Sequence, residues 1–129
     1  MRKARVWVFW LVQDSYSVLS CSTHNYTGEI YMAHDIFLGH NVAVKLEPMQ
    51  GPRSTFKHEF HVYKKLAGGL GIPLVHSFRI ECGYNVMVMD CLGPSLKQLF
   101  GDCHFRFSIK TILLLASQLV SRLDSLPHS

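Results

Sequence analysis

No two of the four cysteines, Cys21, Cys82, Cys91 and Cys103, form a CxxC pair, and an even count in a chain of this size does not by itself imply a disulfide framework. The expectation is reduced thiols in an intracellular protein, cytoplasmic or nuclear. Long apolar runs are missing too. Val6-Trp7-Val8-Phe9-Trp10-Leu11-Val12, behind Arg2, Lys3 and Arg5, has seven residues, too few to span a bilayer and at the lower limit for a signal-peptide core. Secretion is the alternative that this run leaves open; a short strand or tail is the other reading. Concentrated charge is also lacking. Thirteen basic residues against nine acidic give a net +4, but the cations are scattered, without the stripe that nucleic acid requires. Neither nucleic acid nor a membrane is an expected partner. Among the eight histidines, His58-Glu59-Phe60-His61 is spaced i, i+3, whereas a zincin helix needs i, i+4 with the glutamate between. No metal site is expected.

The 129 residues, 48% hydrophobic and 17% charged, suit one ordinary globular domain or part of a larger one. Their most informative stretch is Asn41 to Leu66. In an extended Val42-Ala43-Val44-Lys45-Leu46, Val42, Val44 and Leu46 share one face while Ala43 and Lys45 share the other. Beyond it, Thr55 to Leu66 reads as a helix. At about 100° per residue, Phe60, Ala67, Phe56, Tyr63, Glu59, Leu66 and Val62 fall in that order on one arc. Glu59 is near the middle of that apolar arc, where an unpaired carboxylate costs several kcal/mol or stays wet at its edge. Lys45 is the candidate partner.

The remaining elements follow in order. Ser15 to Asn25 carries a weakly patterned first strand through Tyr16-Ser17-Val18-Leu19. Gly28 to Ala33 reads as a strand, and Phe37 to Asn41 as the turn before the Lys45 strand. Gly51-Pro52 breaks the chain, Ser54 or Thr55 can cap the helix, and Gly68-Gly69 ends it. Leu74 to Ile80 and Tyr84 to Asp90 look like two strands hinged at Cys82-Gly83, the apolar run Val86 to Met89 suggesting burial on both faces. Ser95 can cap a short helix, Leu96 to Phe100. Ser108 is a good N-cap for a longer one, with Phe107 and Ile112 at the spacing of a hydrophobic staple. Its apolar stripe is 109, 112, 113, 116, 119, 120, 123 and 126.

From Gly28 to about Leu123 the sequence resembles the casein kinase I family of serine/threonine protein kinases. The resemblance rests on ordered blocks: Val42-Ala43-Val44-Lys45-Leu46-Glu47; the Glu59 helix with Val62-Tyr63-Lys64; Gly68-Gly69-Leu70-Gly71-Ile72-Pro73; Tyr84 to Asp90; Leu92-Gly93-Pro94-Ser95-Leu96 with Leu99-Phe100; and Phe107 to Thr111 through Ser121-Arg122. It implies an α+β fold. A kinase-like small lobe at 15–90, an antiparallel sheet of about five strands with one regulatory helix, would be followed at 91–129 by the hinge and two helices of an incomplete large lobe. Residues 1–14 form a tail unrelated to the family.

The roles implied are specific. Lys45 resembles the lysine that holds the α and β phosphates of ATP, and Glu59 the carboxylate that holds that lysine. Ala43 would lie against the adenine, Ile30 would cover it, and Met89 would gate the back of the pocket. Asp90, Cys91 and Leu92 would be the hinge. Of the phosphate loop's three glycines only Gly28 is kept, Thr23 and Asn25 standing at the other two positions, so ATP binding is expected to be weak or lost.

The sequence contains no His-Arg-Asp catalytic loop and no Asp-Phe-Gly, and with them go the catalytic base and the magnesium site. The chain is therefore expected to be inactive alone, a fragment of such a kinase whose partners would be protein substrates or kinase-associated proteins. The alternative reading is a non-catalytic, pseudokinase-like module that binds a partner, or itself, through its last helix. A third, unrelated to kinases, is a small secreted protein defined by its N-terminal apolar run.

Overall fold

The computed structural model describes residues 16–25, 28–49 and 55–126. The tail with its Val6 to Val12 run, the Gly51-Pro52 break and Ser54 lie outside the described residues. The five strands are β1 (Tyr16–Asn25), β2 (Gly28–Asp35), β3 (Asn41–Pro48), β4 (Val75–Glu81) and β5 (Tyr84–Asp90). They form one antiparallel sheet in the order β1-β2-β3-β5-β4. β2, β3, β5 and β4 make its well-patterned part; β1 extends the β2 edge with two register shifts.

Alternation along β3 divides the molecule. Val42, Val44 and Leu46 are buried on one face with Tyr31, Ala33, Val86 and Val88. Phe56, Val75 and Met87 form a second core on the other face, with Phe60, Tyr63, Phe78 and Met89 packed against it. Helix α1 (Phe56–Leu66) supplies Phe56, Phe60 and Tyr63 to this second core, a helical i, i+4, i+7 set. Val62 at the margin of the arc remains 39% exposed. The run Val86, Met87, Val88 is buried on both faces because Val86 and Val88 pack into the first core and Met87 into the second.

Turn chemistry sets the strand connections. The buried Asp35 carboxylate accepts hydrogen bonds from the Phe37 and Leu38 N–H groups at 2.9 and 2.8 Å, closing the β2–β3 loop. Between β4 and β5, Cys82 and Gly83 both take positive φ, 48° and 80°, as a two-residue hairpin of the primed type requires. Thr55 occupies the N-cap position of α1, but its backbone is helical and its side chain makes no capping hydrogen bond; capping through Thr55 is corrected accordingly.

Two further helices follow. α2 (Leu96–Asp102) is capped by Ser95, which accepts from the Gln98 N–H at 3.2 Å. α3 (Ile109–Asp124) is capped by Ser108, which accepts from Thr111 at 3.1 Å. No residue of α3 is fully buried. No helix among the described residues is long and apolar enough to cross a membrane.

Candidate functional site

Strand register assembles the site. Lys45 pairs laterally with Ile30 on β2 and Met87 on β5, and Ala43 with Met32 and Met89. Directly opposed residues in an antiparallel sheet share a face, so Ile30, Ala43, Lys45 and Met89 stand on one side, the side that α1 covers in part. Above them the Lys45 ammonium meets both oxygens of Glu59, at 2.8 and 2.7 Å. The side chains are 16% and 33% exposed, so the pair is largely withdrawn from water yet open at one edge. Lys45 also sits 5.4 Å from the centre of the Phe56 ring, an arrangement that favours the cation. Glu59 lies in the first turn of α1, where the helix dipole favours an anion. One turn on, burial first and the Glu59 charge second push the Tyr63 phenol above its ordinary value.

The chemistry of this arrangement is cation presentation. An ammonium has three donors, and Glu59 engages two oxygens' worth of them while fixing the direction of the third. Ala43, a small side chain on the same face two residues from the cation, is half-buried.

Gly28 begins β2, and its role in the structure is steric. A Cβ there would come within 2.1 Å of the Leu46 carbonyl oxygen, at a φ of 152°, so only glycine lets β2 and β3 approach at this point. The side chains of Thr23 and Asn25, and residues 26 and 27, lie outside what is described.

At the other end of the face, Asp90 is tied into the fold rather than presented outward. Its N–H donates to the Leu74 carbonyl at 2.9 Å. One carboxylate oxygen accepts from the Leu74 N–H at 2.9 Å and the other meets His76 Nε2 at 2.8 Å. The Leu74 N–H, ahead of an opposing push from burial, holds this carboxyl below its ordinary value, with His76 and then His40 adding to the effect. Cys91 and Leu92 continue outside any strand, Leu92 being 67% exposed. The His76–Asp90 contact, with His40 edge-on to His76 at 5.6 Å between ring centres, is absent from the sequence reading. His76 falls at the register shift between Val75 and Ser77, and a bulge of this kind re-aims a side chain without leaving a sequence signal.

His58 and His61 both lie on the exposed side of α1. Among the described residues no group of three or more His, Cys, Asp or Glu side chains is placed to hold a metal ion. No protein-family model matches the chain.

Proposed function

We propose that the chain is a casein-kinase-I-like small lobe with its hinge and the first large-lobe helices, retaining a weakened adenine-nucleotide anchor and no catalysis of its own. The observation that carries this reading is the Lys45–Glu59 pair, bidentate and partly buried, standing beside Ala43 on one sheet face. Phosphoryl transfer needs a base, magnesium ligands and a positioned nucleophile; neither His-Arg-Asp nor Asp-Phe-Gly occurs in the sequence. On this reading the protein is intracellular and Lys45 gives its third donor to a phosphate. Ile30, Ala43 and Met89 enclose the base, whose edge meets the backbone of Asp90, Cys91 and Leu92.

The test is a titration with ATP followed by calorimetry and amide NMR. The expected Kd is on the order of 1 mM, unchanged by magnesium and lost in Lys45→Met. Tight, magnesium-dependent binding would overturn the claim of a degraded site. A complete absence of ATP-induced shifts at Ala43, Met89 and Leu92 would overturn the anchor itself. That outcome would favour the second reading, a non-catalytic binding module, which the exposed apolar side chains of α3 support.

A further inference from the structure

Seven apolar residues run along one side of α3: Ile109, Ile112, Leu113, Ala116, Leu119, Val120 and Leu123. Their positions read the same from both ends, 109 mirroring 123, 112 mirroring 120 and 113 mirroring 119, with Ala116 at the centre. The six large side chains are 51–77% exposed. Thr111, Leu115 and Arg122, on the opposite side, are the half-buried residues that face the rest of the chain.

We infer that α3 is a homodimerisation helix, which a second copy of the chain meets antiparallel across a two-fold axis at Ala116. An isologous contact requires a surface complementary to itself, and the mirror order supplies one. Ile109 meets the partner's Leu123, Ile112 meets the partner's Val120 and Leu113 meets the partner's Leu119. The smallest side chain lies where the two backbones come closest, as close helix crossings require.

Charge obeys the same symmetry. Lys110 and Asp124 flank the stripe on one side, within about 40° of each other at 100° per residue. Antiparallel packing brings like flanks together, so Lys110 of each copy reaches Asp124 of the other; parallel packing would put the two flanks on opposite sides of the seam and leave both residues without that partner. Both residues are exposed, and neither has an ion pair among the described residues. Each also has the wrong sign for its own helix end, a cation in the first turn and an anion in the last. Within one copy that placement is unfavourable; across the pair it becomes attractive. The contact is a single short helix face without the roughly twenty or more residues a side of a standard interface, so the dimer is expected to be weak, with a Kd on the order of 10 µM.

Sedimentation of the full chain from about 1 to 200 µM, spanning that Kd, is expected to show a monomer–dimer equilibrium. Ala116→Arg should abolish it. Lys110→Asp and Asp124→Lys should each weaken it by roughly tenfold, and the double variant should recover to within about threefold. Ala116→Cys should form a disulfide dimer under mild oxidation, and Leu114→Cys, off the stripe, should not. A monomer throughout, open-ended oligomers, a dimer indifferent to Ala116→Arg, or no recovery in the double charge swap would each overturn the inference. So would protection of α3 only on adding a peptide of residues 1–15, which would assign the face to the chain's own N-terminus.

Discussion

The guanidinium of Arg122 lies over the backbone of Gly71, so close that a Cβ added at Gly71 would stand 2.5 Å from Nε. This contact joins the end of α3 to the loop after α1, beside a cleft also lined by Lys65, Leu70, Ile72 and Leu126. Gly71 has a φ of +78°, a conformation that costs other residues roughly 1–2 kcal/mol. The Arg122 side chain can swing aside, so the backbone carries most of the penalty. Gly71→Ala should lower stability by about 1–2 kcal/mol in urea unfolding. In an Arg122→Ala background the same substitution should cost only slightly less. A neutral Gly71→Ala would show that the loop does not hold this conformation.

Lys45 and Glu59 are unequally buried, and that inequality gives their variants a definite order. Glu59→Gln leaves an ammonium that is only 16% exposed without a countercharge, which should cost about 2–3 kcal/mol. Lys45→Met leaves a carboxylate 33% exposed, able to reach water and favoured by the helix N-terminus; its cost should be about 1 kcal/mol. Denaturant midpoints at neutral pH measure both. Equal losses, or a larger loss for Lys45→Met, would contradict the burial on which the order rests.

Asp90 should make stability depend on pH in acid. Its carboxyl is held below the ordinary 3.8 in the folded chain, so folding favours the ionised form. That contribution is fully present above the unfolded value and is lost as pH falls through the folded one, that is, below about pH 4. The wild-type melting temperature should therefore fall more steeply between about pH 5 and 3 than that of Asp90→Asn. Parallel profiles would mean that the bonds to Leu74 and His76 do not persist in solution. Because the carboxylate is 37% exposed, the difference should be modest and should shrink in high salt.

The sequence was most legible where two periodicities meet. The two-residue repeat of β3 places Lys45 on the face opposite Val42, Val44 and Leu46, and the helical repeat of α1 places Glu59 among Phe56, Phe60 and Tyr63. Each pattern alone leaves a charge in apolar surroundings, and burial cost then argues for pairing them. The run Tyr84 to Asp90 was legible for a similar reason, an apolar stretch bounded by turn residues. The N-cap of α1 was less so, because Thr55 has the right side chain but a helical backbone. A capping residue acts only when its own dihedrals are extended.

What the sequence by itself determined is the set of local elements and the faces they present: the strands around Lys45, the helix of Glu59, and the apolar stripe of α3. These follow from repeats of two and 3.6 residues, which neighbouring residues enforce through the backbone. Only the tertiary structure decided which distant backbones touch. The closeness of the Leu46 carbonyl that leaves no room for a Cβ at Gly28, the Arg122 side chain lying on Gly71, and the bulge that turns His76 onto Asp90 depend on how elements are set against each other. That placement is fixed by the packing of whole surfaces, and no short stretch of residues encodes it.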